Sequence, residues 1–215
     1  MHPTMITLAI LAGGKSQRMG QNKALTPFLG RPLIFQVLDR LAMLAEEMIV
    51  VAPASGEFLL LGPRIVPDLL PARGPLGGLY TALFSASHPV VIVVGCDTPF
   101  INADLLTWEC GILDSEGVDA VMPSSEKGLE PLHAVYRREA CLPTVQESLD
   151  CGEGRMVSWF PQAKVRVLTP EETKPFDPRG LVFFNVNTPD ELSRAERWAG
   201  EDGGGAPKIN AILPA

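Results

Sequence analysis

The sequence predicts a single three-layer α/β domain, in which helices cover both faces of one mostly parallel sheet. Apolar segments of strand length alternate with segments of helical periodicity over most of the 215 residues. The run VVIVV at 90–94 is apolar at every position, as expected for a central parallel strand that is covered on both faces. Polar motifs follow several predicted strands, and ligands of such sheets bind at the carboxyl ends of strands.

In the first half of the chain, short apolar runs that end at glycine or proline indicate strands, and apolar residues three and four apart indicate helices. In chain order the predicted elements are a strand at 5–11, a helix at 33–44, strands at 48–52 and 64–66, a turn-rich loop at 74–78 that opens a helix to about 87, and the strand at 90–94.

The second half has a looser pattern, but the same signals apply. Its predicted elements are a helix at 103–114, strands at 118–122 and 132–136, a helix at 138–149, a short helix at 155–160, strands at 165–168 and 181–184, and a helix at 189–198. Asn102 is suited to cap the helix at 103, and Pro189 occupies the favoured first helical position. The domain therefore spans 1–199, and the Gly- and Pro-rich stretch 200–215 is predicted to be a mobile tail.

Composition excludes several classes of function. The longest apolar run is far short of the ~20 residues that a membrane span needs, and no basic patch with interleaved aromatic residues suggests nucleic acid. Residues 1–11 lack the basic head of a signal peptide and are interpreted as a first strand. The four cysteines form no CxxC pair, which argues against a zinc site or a disulfide framework and favours the cytoplasm.

The first 38 residues contain no acidic residue, although the chain has 25 Asp and Glu and a net charge of −7. The same stretch contains Lys15, Arg18, Lys23 and Arg31. A basic island in an acidic chain predicts a local site for an anion.

Gly13 and Gly14 lie at the centre of this island, directly after the first predicted strand. Without Cβ atoms, the backbone can turn sharply there and bring its N–H groups against a phosphate, which the neighbouring bases would neutralise. A Walker A loop is excluded because Gly20 is followed by Gln and Asn rather than Lys, and the glycine spacing does not fit GxGxxG. The loop is therefore predicted to bind a polyphosphate in another way.

The run LAGGKSQRMGQNKAL at 11–25 resembles the signature of nucleotidyltransferases that couple an NTP to a phosphorylated partner and release pyrophosphate. Its form is similar to that of molybdenum cofactor guanylyltransferases, of the MobA-like nucleotidyltransferase family. Four later segments agree in order: GPLGG at 74–78, CDTPFI at 96–101, EPLHA at 130–134 and NVNTPDEL at 185–192. The resemblance covers residues 5 to about 198 and implies a Rossmann-like nucleotidyltransferase domain.

This resemblance implies an enzyme that transfers GMP from GTP to the terminal phosphate of molybdopterin, with Mg²⁺ as cofactor. The implied partners are GTP and molybdopterin or the molybdenum cofactor, and cofactor-delivery proteins are further candidates. The alternatives are a CTP-dependent molybdopterin cytidylyltransferase, a sugar-phosphate nucleotidyltransferase and a non-catalytic nucleotide-binding module. LAGG in place of LAAG, and Cys96 before Asp97, favour guanylyl transfer, and the presence of Lys23 and Asp97 argues against a non-catalytic module.

Asp97 follows the predicted central strand, so its carboxylate is expected to face the glycine loop. Mg²⁺ prefers hard oxygen ligands and commonly takes one or two carboxylates together with phosphate oxygens. On sequence alone, Asp97 could instead cap the next turn. The resemblance implies that Asp97 is the metal ligand and that Lys23, Arg18 and Asp97 are the catalytic residues.

Asp68 follows the weak strand at 64–66, and a carboxylate there can accept hydrogen bonds from both N1–H and N2–H of guanine. A surface Asp in a proline-rich loop is the alternative interpretation. Ala52 departs from the family, which often has Asn at that position, and this weakens the preference for guanine. The full set that the resemblance assigns to the nucleotide is Leu11, Ala12, Gly13, Gly14, Lys15, Lys23, Asp68, Gly77, Gly78 and Asp97.

Asn185 and Asn187 are two residues apart at the end of a predicted strand and would point to the same face. The resemblance implies that one of them completes the metal or cofactor site, although Asn187 could also cap the following helix. Arg155 resembles a basic position of the family that could meet a pterin phosphate. His133 stands between apolar residues and is interpreted as a packed histidine, and no Ser/His/Asp triad is credible.

Overall fold

The computed structural model describes residues 5–13, 23–53 and 57–201. Its strands are β1 (Ile6–Leu11), β2 (Pro27–Phe28), β3 (Arg31–Pro32), β4 (Glu47–Val51), β5 (Arg64–Val66), β6 (Val90–Gly95), β7 (Ala120–Ser125), β8 (Gly128–Leu129), β9 (His133–Arg137) and β10 (Val165–Leu168). Its helices are α1 (Ile34–Leu41), α2 (Gly74–Ser85), α3 (Ala103–Glu116), α4 (Arg138–Asp150), α5 (Pro170–Thr173) and α6 (Pro189–Glu201).

The main sheet has the strand order β10-β7-β9-β6-β1-β4-β5, with β8 paired to β7 and β2 pairing β3 separately. β1 lies between β6 and β4 and pairs with both in parallel. β9 is antiparallel to both of its neighbours, β6 and β7. The start of β9 therefore lies at the same edge of the sheet as the carboxyl ends of the parallel strands.

Both faces of the sheet are covered, which confirms the predicted three-layer α/β class. Alternate residues of β6 enter two different apolar clusters: Val90, Ile92 and Val94 pack with α1 and α3, and Val91 and Val93 pack with α2 and α4. Burial on both sides is the reason that this strand is apolar at every position.

The predicted strand at 181–184 is wrong, because this segment is a turn in which the Phe184 N–H donates to the Leu181 carbonyl oxygen at 2.9 Å. Its apolar residues are used elsewhere: Phe184 packs edge-on against Trp198 of α6 and lies beside Phe100. Periodicity cannot distinguish such a packing segment from a short buried strand.

Other element boundaries also differ from the prediction. Residues 155–159 form turns rather than a short helix, and α1 ends at Leu41 rather than at 44. The glycines at 74–78 lie inside α2 instead of in a loop before it. α6 extends to Glu201 and so includes Gly200, which was assigned to the tail; residues 202–215 lie outside the described part of the chain.

Within the described ranges, no helix combines the length and the apolar character needed to cross a bilayer.

Candidate functional site

The carboxyl ends of β1, β4 and β6 form the floor of the candidate site. Leu11 is opposite both Val51 and Gly95 in the register of the sheet. After β1, the Ala12 N–H donates to the Val51 carbonyl oxygen at 2.9 Å, and the Cys96 N–H donates to the Leu11 carbonyl oxygen at 3.2 Å. These bonds hold the segment after β1 against the strands on either side of it.

A large cavity with a volume of about 890 Å³ opens above these strand ends. It is lined by Leu11, Ala12, Gly13, Lys23, Val51, Pro53, Pro67, Asp68, Pro71, Gly74, Pro75, Gly78, Gly95, Cys96, Asp97, Leu132 and Asn187. Most of the predicted nucleotide-binding residues therefore share one space. Gly14, Lys15 and Arg18 lie outside the described residues.

Asp97 follows β6 at the mouth of this cavity, and Gly95 gives its carboxylate room. A Cβ atom at Gly95 would lie 2.7 Å from Asp97 Oδ1. The Asp97 carbonyl oxygen accepts from the Val186 N–H at 2.9 Å, so the backbone of Asp97 is tied to the segment that carries Asn185 and Asn187.

The ammonium group of Lys23 joins Asp97 to Asn187. Lys23 Nζ lies 2.5 Å from Asp97 Oδ2 and also donates to Asn187 Oδ1. The side chains of Lys23 and Asp97 are 17% and 18% exposed, so this ion pair is largely shielded from water. Three residues that are far apart in the sequence thus form one cluster.

The oxygens of this cluster fit a divalent cation in their chemistry. Asp97 and Asn187 direct a carboxylate and an amide oxygen at one positive charge, and hard oxygens of these kinds are the ligands that Mg²⁺ takes in proteins. The described residues hold no group of three or more His, Cys, Asp or Glu side chains that could bind a metal. A cation here would therefore need ligands from a substrate, as Mg²⁺ commonly takes from phosphates.

Asn187 is free to face Lys23 because Thr188, not Asn187, supplies the side-chain cap of α6. The Thr188 hydroxyl accepts from the Glu191 N–H at 3.2 Å. The Glu191 carboxylate accepts in return from the Asn187 backbone N–H at 2.7 Å. The sequence analysis placed residues 185–187 at the end of a strand, and this is wrong because the segment directly before them is a turn. Asn185 and Asn187 nevertheless line the same cavity.

Asp68 lines the large cavity and is held by Leu70, which precedes α2, and by Thr81 within α2. Its Oδ1 accepts from the Leu70 N–H at 2.9 Å and from the Thr81 hydroxyl at 3.0 Å. Among the described residues, no donor to Oδ2 is present, so that oxygen can accept from a ligand. Thr81 was missed by the sequence analysis, since a single Thr inside a helix gives no signal of its own.

Gly77 and Gly78 are needed for packing as much as for access. A Cβ atom at Gly77 would collide with the Leu70 carbonyl oxygen, and one at Gly78 would lie 3.2 Å from Leu11 Cδ1. Gly78 lines the large cavity, whereas Gly77 lies buried behind it. The predicted close approach to a ligand is therefore geometrically open at Gly78 alone.

A small cavity of about 290 Å³ lies on the other side of Asp97. It is lined by Pro75, Asp97, Thr98, Glu130, Pro131, Leu132, His133, Met156, Phe183, Asn185 and Asn187. Pro75, Asp97, Leu132 and Asn187 line both cavities, so the two spaces join at the Asp97 cluster. Arg155 is exposed and does not line the small cavity, although its neighbour Met156 does.

Glu130 gives the small cavity a carboxyl group that the sequence analysis did not single out. Its Oε1 accepts from the Ser125 hydroxyl at 2.6 Å. Burial raises the pKa of Glu130, and the hydrogen bond from Ser125 and the charge of Lys127 oppose that change. The signal for this residue was present in the motif EPLHA, but a single Glu does not indicate a binding role.

His133 and Glu109 form a buried pair beside the small cavity. His133 Nε2 lies 3.7 Å from Glu109 Oε1, and the two side chains are 2% and 0% exposed. Burial raises the pKa of Glu109 well above its ordinary value and lowers the pKa of His133 to about 3. The distance is too long for a hydrogen bond and burial disfavours both charges, so we assign a carboxylic acid and a neutral imidazole.

Cys96, next to Asp97, is buried, and burial raises the pKa of its thiol. A thiol held in its neutral form is a poor nucleophile. The described residues at the centre of the site thus provide charge and hydrogen bonds and offer no activated nucleophile.

Comparison with known proteins adds to this geometry. The family model for the MobA-like NTP transferase domain matches residues 8–166. The chain is similar to a probable molybdenum cofactor guanylyltransferase of Pelotomaculum thermopropionicum, with 36% identity over 90% of this chain and 93% of the relative. It is also similar to the molybdenum cofactor guanylyltransferase of Desulfosudis oleivorans, with 34% identity over 89% of this chain and 94% of the relative.

A solved structure agrees with these relatives. The chain resembles the molybdopterin-guanine dinucleotide biosynthesis protein A of Archaeoglobus fulgidus, with a TM-score of 0.78 and 26% identity. The match covers 91% of this chain and 99% of that chain.

Proposed function

The chain belongs to the MobA-like NTP transferase family, and from this premise we propose that it transfers GMP from GTP to the terminal phosphate of molybdopterin and releases pyrophosphate. One observation carries the proposal: two cavities of different character meet at Asp97. An enzyme that joins two substrates needs such an arrangement, with the reacting groups at the junction.

In this proposal, GTP occupies the large cavity. The Gly13 end of the glycine loop approaches the phosphates, together with Gly14, Lys15 and Arg18. The open oxygen of Asp68 accepts hydrogen bonds from the guanine edge, which adenine and cytosine do not offer in the same pattern. The Leu11, Ala12 and Gly78 side of the cavity packs against the nucleoside, and Gly77 supports that wall from behind.

Mg²⁺ would be held by Asp97, with Asn187 as a second oxygen ligand and phosphate oxygens completing the shell. When bound, it would withdraw negative charge from the phosphates and align them. Lys23 would then lose its contacts with Asp97 and Asn187, because a cation would need the same two oxygens that now accept from its ammonium group. Lys23 would then transfer its hydrogen bonds to a phosphate.

Molybdopterin occupies the small cavity in the proposal, with its terminal phosphate at the junction. An oxygen of that phosphate forms a bond to the α-phosphorus of GTP while the bond from the α-phosphorus to the bridging oxygen breaks, and pyrophosphate leaves with that oxygen. The attacking phosphate is already anionic at neutral pH, so no protein nucleophile is required. The protein contributes alignment and charge neutralisation, with Asn185 as a further acceptor contact inside the small cavity and the exposed Arg155 as a contact for acceptor groups that extend beyond it.

The test measures the release of pyrophosphate from GTP in the presence of Mg²⁺ and molybdopterin. CTP, UTP and ATP are tested under the same conditions. We expect turnover with GTP and a requirement for both Mg²⁺ and molybdopterin. A preference for CTP would overturn the assignment of guanine to Asp68 and leave the transfer mechanism in place. Tight GTP binding without any turnover would contradict the enzymatic role itself.

A further inference from the structure

The Glu109–His133 pair is the strongest polar anomaly in the described part of the chain. Five buried side-chain polar atoms there lack a hydrogen-bond partner, and four of them belong to this pair: both oxygens of Glu109 and both ring nitrogens of His133. α3 supplies Glu109 and β9 supplies His133 from opposite sides of one interface. The surrounding cluster is otherwise apolar, with Leu106, Ile112 and Val135 as close neighbours in the fold.

Such a pair is expensive for a stable core. Each buried polar atom that loses its water without gaining a partner is destabilising, and two apolar residues of similar size would pack in the same place without that loss. Groups of this kind in folded proteins commonly belong to functional sites. A ligand that enters the neighbouring cavity could supply the missing partner.

The position of His133 connects the pair to the small cavity. His133 is paired with Val94 in the register of β6 and β9 and is one of the residues that line the small cavity, although both of its ring nitrogens are buried. Phe183, which also lines this cavity, packs edge-to-face with this ring, with centroids 5.1 Å apart. The ring therefore lies next to the cavity that Asp97 and Asn185 also line.

The protonation states define what the ring can offer. A carboxylic acid at Glu109 has one O–H, which a small movement would bring within hydrogen-bond distance of His133 Nε2. The hydrogen of a neutral imidazole then resides on Nδ1, because the partner of one ring nitrogen sets the state of the other. The two nitrogens point in different directions, so an Nδ1–H held in this way faces away from Glu109.

We propose that a small rotation of the ring brings the buried Nδ1 of His133 to the small cavity, where it donates a hydrogen bond to the acceptor substrate, and that Glu109 is the positioning residue that fixes this tautomer. The proposal rests on the proposed function, since it names a contact for the second substrate of that reaction. The hydrogen bond is made equally in the ground state and the transition state. It therefore lowers the KM for the acceptor and leaves kcat unchanged.

The test compares variants of the pair in steady-state turnover with GTP and molybdopterin. His133→Phe keeps an aromatic ring and removes the donor, and we expect the KM for molybdopterin to rise about tenfold, the scale of one hydrogen bond. The KM for GTP and kcat should stay within about twofold of the wild type, because the large cavity is untouched. Should the KM for molybdopterin in His133→Phe equal that of the wild type, the proposal is wrong.

Two substitutions at Glu109 separate positioning from simple packing. Glu109→Gln keeps an N–H donor for Nε2 and is expected to keep the low KM for molybdopterin. Glu109→Met removes the donor, and we expect a rise of about fivefold in that KM together with a higher melting temperature, since an unpartnered buried carboxyl is replaced by an apolar chain. A purely structural pair predicts the reverse pattern, with unchanged kinetics and a lower melting temperature for Glu109→Met.

His88→Gln is the matched control, since His88 precedes β6 at the opposite edge of the sheet, and it should change none of these values. If Glu109→Gln loses acceptor binding as severely as Glu109→Met, the tautomer argument fails. These outcomes are distinct from failure of the proposed function, in which the wild-type protein itself releases no pyrophosphate from GTP and molybdopterin.

Discussion

The large and small cavities meet at Asp97 but differ in how their polar groups are satisfied. In the large cavity, Asp68 is anchored by Thr81, and Asp97 is paired with Lys23. Beside the small cavity, the side chains of Glu109 and His133 have no hydrogen-bond partner among the described residues. The carboxylates of the large cavity thus already have partners within the protein. The polar atoms beside the small cavity lack partners, which a second substrate could supply.

Asp97→Ala alters the residue at which the two cavities meet, and we expect it to have the largest effect on turnover. Asp97 lines both cavities, so its loss removes the expected metal ligand and the partner of Lys23 together. We expect turnover to fall by at least ~10², the scale of losing a preorganised electrostatic contact at a reacting phosphate. Mg²⁺-dependent turnover close to the wild-type value would remove Asp97 from this role, and a thermal melt of the variant checks that the fold is intact.

Lys23→Ala tests whether the ammonium group of Lys23 in the large cavity interacts with GTP. Removing the ammonium leaves the Asp97 and Asn187 oxygens without their shared partner and the phosphates without one cation. We expect kcat/KM for GTP to fall by roughly 10 to 10²-fold, through both a higher KM and a lower kcat. Lys164→Ala, at an exposed position beside β10, is the control. Unchanged GTP kinetics in Lys23→Ala would contradict the assignment.

Asp68→Asn should change the preference for the nucleotide and leave binding of the acceptor unchanged, because Asp68 lines only the large cavity. An amide cannot accept through both of its polar atoms, so the preference for GTP over ATP should fall by about tenfold, the scale of one hydrogen bond. The KM for molybdopterin should remain at the wild-type value. Asp104→Asn, at an exposed position in the first turn of α3, is a charge-matched control. An undiminished preference for GTP would place the base elsewhere.

Glu47→Gln lies outside both cavities and should change stability alone. Partial burial by itself raises the pKa of Glu47, but hydrogen bonds from Arg64, Ser87 and Thr7 outweigh this effect and lower the pKa from 4.5 to about 2. A carboxyl whose pKa is lower in the folded state stabilises the fold above pH 4.5, and that contribution disappears as the pH falls towards 2. The variant should therefore lose less stability than the wild type over this interval in acid unfolding monitored by circular dichroism, with unchanged turnover at neutral pH. An identical acid profile would contradict the assigned hydrogen bonds.

The contiguous motifs of the large cavity were visible in the sequence because each of them depends on local chemistry. Gly13 lies two residues after the end of β1, and Asp97 lies two residues after the end of β6, so both are placed at the carboxyl edge of the sheet by the strand before them. The spacing of such residues within one strand-to-loop unit is encoded over a few positions. The apolar pattern of β6 likewise depends only on burial of both faces.

The small cavity could not be predicted to the same depth, because its walls come from segments that are distant in the sequence. Glu130 belongs to the motif EPLHA, but a single Glu does not indicate a binding role. The apolar run at 181–184, which contains Phe183, was predicted as a strand although its Phe184 packs against α6. His133 was interpreted as a packed histidine, and it is indeed buried, but its pairing with Glu109 depends on how α3 lies across β9. No sequence spacing relates residues 109 and 133.

Local patterns were enough to predict the α/β class, the parallel core and the positions of Gly13 and Asp97 after their strands, since periodicity and glycine positions are local properties. Three features required the tertiary structure. Lys23 bridges Asp97 and Asn187, and Asp97 lines two cavities. The unpartnered Glu109 carboxyl and His133 imidazole lie beside the small cavity. These are contacts between side chains brought together by packing. Their energies depend on distance and burial, which a linear pattern of residues does not contain.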